Sequence, residues 1–123
     1  MERVAKDEER EHRINTEAIV DCYGPEEQAI GWFNYLEYRL MFPFKARCID
    51  DRTVSLLSKG DEVEVVSMAD EDDCMSEMFV MIEWMGRPLG VPLAQLAAVD
   101  TDETTEQAVG DWHYWLGRGY QLL

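Results

Sequence analysis

Long apolar runs are missing from this chain, and none approaches the about 20 consecutive apolar residues that a membrane-spanning helix needs. The opening stretch MERVAKDEEREHR has no apolar region of the kind that defines a secretory signal, so the expected location is the cytoplasm. Cysteine is scarce too, with only Cys22, Cys48 and Cys74, widely spaced. An odd count at such spacing does not read as a disulfide framework and fits reduced thiols in a reducing compartment. No C-x-x-C occurs, and no cysteine pairs with His12 or His113 at a zinc-like spacing. There is no Gly-rich phosphate loop and no G-x-S-x-G, and no carboxylate pair is marked as acid and base, so an enzyme is not expected.

Positive charge is the largest shortage. Eleven Lys and Arg face 26 Asp and Glu, for a net charge of -15. Phosphate backbones and anionic membranes repel such a chain, so neither nucleic acid nor membrane is an expected partner. Cations and basic proteins are.

What is present is enough for a core. Of the 123 residues, 46% are apolar, and four Trp, five Tyr and four Phe supply large buried surfaces. A single domain is expected. The charge is unevenly placed: Gly60 to Gly117 carries 14 acidic residues and one basic residue, Arg87, while the remainder carries 12 and 10. Asp70, Glu71, Asp72 and Asp73 are consecutive, with Glu77 close behind. Their mutual repulsion must be relieved by a bound cation or by solvent.

Three parts follow from the periodicities. Residues 1–42 read as helical. Ile14, Ala18 and Cys22 form a stripe over Glu2 to Cys22, with Lys6/Arg10 and Glu9/Arg13 as a solvated outer face. Gly24-Pro25-Glu26-Glu27 breaks the chain and starts a second helix, which Phe42-Pro43 ends. Residues 43–100 alternate like strands: FKARCI, EVEVV after Gly60-Asp61, MFVMIEW, a tight turn at Met85-Gly86-Arg87-Pro88, LGVPL with Pro92 at an edge or bend, and a short last strand after Ala94-Gln95-Leu96. Residues 101–123 read as a helix with a capping box at Thr104 to Gln107 and a face of Val109, Trp112, Leu116 and Tyr120. The predicted fold is α+β, with N-terminal and C-terminal helices flanking a small five-stranded SH3-like antiparallel β-barrel. Layout alone does not assign function.

Calcium takes six to eight oxygen ligands in flexible geometry, which clustered loop carboxylates can supply. The acidic loop Asp70–Glu77 is therefore the first candidate site, and a solvated acidic turn is the alternative reading. Asp100 to Asp111 imitates an EF-hand loop in part, with acids at its first, third and twelfth positions. Thr105 stands where the turn Gly belongs, Asp111 replaces the bidentate Glu, and no helix precedes it. The segment reads mainly as a helix cap. Asp50 and Asp51 end the first strand and are a further cation candidate beside Arg52, though an ordinary turn explains them. His12 reads as exposed, and His113 as a structural histidine among aromatics. Cys74 sits in the most negative segment, which should raise its pKa and make it a poor nucleophile.

The stretches DEERE, AIGWFNYLE, FPFKARCI, KGDEVEVV, EMFVMIEW, VPLAQL and DWHYWL, in that order along nearly the whole chain, resemble the CcbP-like family of calcium-binding proteins. The resemblance implies a cytoplasmic protein that binds Ca2+ without EF-hands and buffers or senses it. It also implies an acidic residue directly after the Leu-Glu of the second helix. Here Tyr38 follows Leu36-Glu37, so no acid stands at that position, and Glu37, one residue earlier, substitutes for it only if its side chain points to the same place. The expected Ca2+ ligands are Glu37, Asp70, Glu71, Asp72, Asp73 and Glu77, with a second site drawing on Asp50, Asp51, Asp100 and Asp102. An acidic SH3-like module that docks a basic partner protein is the competing reading.

Overall fold

The computed structural model describes residues 4–122. Asp7 opens the first helix, α1 (Glu8–Arg13), by accepting the Glu9 and Arg10 N–H groups at 3.1 Å each on its Oδ1. The helix runs on through one wider turn, Ile14–Ala18, in which Ile19 N–H reaches the Ile14 carbonyl at 3.0 Å. The expected helix over Glu2 to Cys22 is thus shorter, and Met1 to Arg3 lie outside the described residues. Ile14 and Ala18 are buried as the stripe requires.

Pro25 occupies the first turn of α2 (Pro25–Arg39), and Gly24 precedes it in an extended conformation. Gly31 lets α2 press on the first helical segment, because a Cβ there would lie 2.5 Å from the Ala18 carbonyl oxygen. The helix ends at Arg39, where Leu40 turns extended ahead of Phe42-Pro43.

Five strands follow: β1 (Phe44–Cys48), β2 (Glu62–Met68), β3 (Phe79–Trp84), β4 (Arg87–Pro92) and β5 (Leu96–Ala98). All pairings are antiparallel, and the order across the sheet is β4-β3-β2-β1-β5. Alternation in β1 and β2 points Phe44, Ala46, Val63 and Val65 inward and Lys45, Arg47, Glu62 and Glu64 outward. The expected closure into a barrel is not found: β4 and β5 are the two edges, and no ladder joins them among the described residues. A single turn of 3-10 helix, Leu93–Gln95, carries the chain from one edge to the other. The hairpin between β3 and β4 is tighter than the sequence suggested. Only Met85 (φ 53°) and Gly86 (φ 78°) form it, while Arg87 and Pro88 already pair with β3. Pro92 lies on an edge strand, as expected.

The last helix, α3 (Glu103–Gly117), is capped two residues earlier than the predicted box. Asp102 accepts the Thr105 N–H at 3.1 Å and the Thr105 hydroxyl at 2.6 Å. Those bonds hold the Asp102 carboxyl below its ordinary range. Trp32 of α2 packs edge-on against Trp112 of α3 at 5.0 Å and beside Trp115 at 5.6 Å, and Tyr120, just past the helix, stacks on Trp115. No described helix is long and apolar enough to cross a membrane.

Asp111 organises the helical layer. It is fully buried, between Ala108 and the two tryptophans of α3. Its carboxylate accepts from Arg10 Nη1 (2.8 Å), Arg13 Nε (2.8 Å), Arg13 Nη2 (2.6 Å) and the Tyr35 hydroxyl (2.7 Å). Arg10 and Arg13, read from sequence as an outer face, instead turn inward to this carboxylate, because a buried charge must find partners. Asp111 is therefore a structural counterion, and the EF-hand-like spacing from Asp100 to Asp111 is coincidental.

Candidate metal centre

The loop between β2 and β3 is pinched at its base by the Ala69 N–H, which donates to the Phe79 carbonyl at 3.0 Å. Inside the pinch, Asp70 is extended and Glu71–Cys74 make one turn of 3-10 helix, closed by Asp73 N–H on the Asp70 carbonyl at 2.9 Å. Cys74 is the plug. It is buried, accepts the Phe79 N–H on Sγ at 3.3 Å, and belongs to the hydrophobic core together with the fully buried Met78. Burial pushes its thiol pKa up, opposed by that N–H, and the neighbouring Asp73, Asp70 and Glu71 add to the rise. The sequence reading had the direction right; burial is the larger cause.

With Cys74 and Met78 turned inward, Asp70, Glu71, Asp72 and Asp73 are all left exposed. Among the described residues no salt bridge reaches any of the four. Four adjacent negative charges without a protein counterion attract cations strongly. Glu77 differs: it is half-buried and gripped by Arg52, with Nη1 donating to Oε1 at 3.1 Å and Nη2 to Oε2 at 2.9 Å.

The ladder decides what lies beside this loop. Phe44 pairs with Val65, so the approach to β1 runs beside the exit from β2, and α2 packs against the 3-10 turn. The acidic loop thus meets the helix that carries Glu37, which is exposed. This end of α2 is also rich in carbonyls without helical partners. The Met41 N–H, which would cap the Glu37 carbonyl, goes to Thr105 Oγ1 at 3.0 Å, and Pro43 has no N–H to offer the Arg39 carbonyl. Tyr38 is 87% exposed and presents a phenol where the resemblance implies a carboxylate.

Among the described residues no three His, Cys, Asp or Glu side chains converge on one point. The donor set still suits a hard, oxygen-seeking cation: exposed carboxylates able to rotate, open carbonyls, and room for water. The other four candidates do not share a site. In the β1–β5 ladder Ala46 faces Ala98 and Cys48 faces Leu96, which puts Asp50/Asp51 and Asp100/Asp102 at opposite ends, about 20 Å apart at strand spacing. Asp51 Oδ1 accepts the Lys59 N–H at 2.7 Å, Asp102 caps α3, and Asp100 sits in a left-handed turn (φ 52°).

Two polar nodes escaped the sequence reading. One is the set of bonds on Asp111, whose signal was a lone acid inside an apolar helix stripe. The other is Gln95, fully buried: its Nε2 donates to the Asp50 carbonyl at 2.9 Å and its Oε1 accepts the Ser55 hydroxyl at 2.8 Å, which fixes the loop after β1.

Comparison with known proteins gives a consistent picture. A family model of the CcbP type, described as calcium binding, matches residues 12–116. The crystal structure of Anabaena CcbP is similar with 40% identity, a TM-score of 0.86 and 98% of each chain covered. A calcium binding protein in the calcium-binding form is similar with 40% identity, a TM-score of 0.83 and 98% of each chain covered. None of the curated proteins matches.

Proposed function

This chain belongs to the CcbP-type family of calcium-binding proteins, and from that membership we propose that it works as a single cytoplasmic calcium-binding domain that captures Ca2+ at the acidic turn. The observation that carries the proposal is the row Asp70, Glu71, Asp72 and Asp73, exposed and, among the described residues, without ion pairs, against the carbonyl-rich end of α2. Rotation of these side chains, with Glu37, Glu77, open carbonyls and water, supplies the six to eight oxygens that calcium takes. Magnesium competes poorly, since it demands compact octahedral geometry and gives up water reluctantly. Asp50/Asp51 and Asp100/Asp102 are at most two separate weak sites. We read the strand order as an SH3-like layout opened at the seam between β4 and β5, and the protein as a non-catalytic buffer or sensor.

Calorimetric titration of metal-stripped protein with Ca2+, in physiological salt with millimolar Mg2+, tests this. Saturable binding with a dissociation constant on the order of 10⁻⁷ to 10⁻⁵ M is expected, lost in Asp72→Asn plus Asp73→Asn. Binding weaker than about 1 mM, or binding untouched by the double substitution, overturns the assignment to this turn. The net charge of -15 favours a second reading, a docking face for a basic protein, which calcium-independent capture of such a partner would support.

A further inference from the structure

Among the described residues, Glu77 is the one carboxylate of the acidic loop that already has a cation, and that cation comes from the segment between β1 and β2. Arg52 lies in the segment between β1 and β2, which the buried Gln95 fixes through Asp50 and Ser55. Glu77 is bracketed by the buried Cys74 and Met78. Both backbones are therefore held, and the guanidinium spans them with two parallel hydrogen bonds of 3.1 and 2.9 Å. Such a fork occupies both carboxylate oxygens at once. A cation arriving at Asp70–Asp73 can recruit Glu77 only by displacing it.

We propose that Arg52 sets the calcium affinity of the acidic turn, acting as a built-in counterion that holds Glu77 and yields it when the ion binds. The proposal rests on the acidic turn being the calcium site. In the ion-free protein the Arg52 side chain lowers repulsion around the loop. In the loaded protein Ca2+ takes over Glu77, and the guanidinium turns to solvent, where it is already one-third exposed (31%). Arg52 is a positioning residue: it acts on the ion through Glu77 and never touches it.

The test separates this from a plain field effect of one positive charge. Arg52→Lys keeps the charge and loses the fork, so calcium binding should tighten about threefold; Arg52→Gln should tighten it about fivefold, in line with a partly exposed ion pair. In a Glu77→Gln background both gains should vanish. On adding Ca2+ to the wild-type protein, the Arg52 Nε–Hε signal in a nitrogen-15 spectrum should move and exchange faster with water. Unchanged affinity in Arg52→Lys, or an Arg52→Gln gain that persists with Glu77→Gln, overturns the proposal. A wild-type protein that takes up no Ca2+ at all refutes the calcium site itself, a different outcome from wild-type binding that is indifferent to Arg52.

Discussion

Replacing Asp111 by Asn keeps the shape of the side chain and removes its charge. The carboxylate is fully buried and accepts four hydrogen bonds, three from Arg10 and Arg13 and one from Tyr35. An asparagine keeps one acceptor oxygen and turns an N–H2 group toward guanidinium donors, so two cations lose their counterion. Removing one partner of a buried pair costs about 3–5 kcal/mol. Arg10 is 32% exposed on its side chain, and solvent screens part of its loss, which places the expectation at about 3 kcal/mol. Against a total stability of about 5–15 kcal/mol this is a large fraction, and it corresponds to a fall in Tm of about 10 °C. Urea unfolding followed by tryptophan fluorescence reads it directly, because Trp32, Trp112 and Trp115 pack in the same layer. Adding Arg13→Met to Asp111→Asn should recover part of the loss, since it removes a stranded charge. A loss below about 1 kcal/mol, the worth of an ordinary hydrogen bond, would refute the assignment of Asp111 as the counterion that ties the three helices together.

Two further outcomes follow from the packing. Gly31→Ala should destabilise by about 1–3 kcal/mol in urea unfolding despite the better helix propensity of alanine, because its methyl would sit 2.5 Å from the Ala18 carbonyl oxygen; Gly90→Ala, 3.6 Å from Met81 Sδ, should be near neutral. His113 Nε2 lies 2.6 Å from the Leu96 carbonyl oxygen and so carries the proton, while burial pushes the imidazole pKa down. Below its ordinary value of about 6.5 the unfolded chain binds a proton that the folded one resists, so stability is full above that pH and falls as pH drops through the lowered folded value. His113→Gln, which can still donate to Leu96, should flatten that part of the stability profile below about pH 6.5.

Local rules were legible in the sequence. The alternation of Val63 and Val65 with Glu62 and Glu64 set the face of β2. Gly24-Pro25 set the start of α2, and the crowding of Asp70 to Asp73 marked the densest run of negative charge. These features depend on neighbours a few residues away, and side-chain period and turn chemistry report them. The family likeness was also visible, since it is carried by short stretches in order.

Tertiary structure decided the rest, because it rests on pairings between distant residues. Arg10 and Arg13 have acids nearby in sequence and read as a solvated surface; only the docking of α1 on α3 brings them to Asp111, about a hundred residues on. Whether the sheet closes depends on how far five strands curl, and a single 3-10 turn carries the chain from β4 to β5 without pairing the two. Glu77 looks like its acidic neighbours in the sequence, yet the path of the loop after β1 gives it a cation and, among the described residues, leaves Asp70 to Asp73 without one. Composition determined that this protein attracts cations. Packing determined which carboxylates are open to receive one, because burial and ion pairing are properties of the folded surroundings and not of the residue.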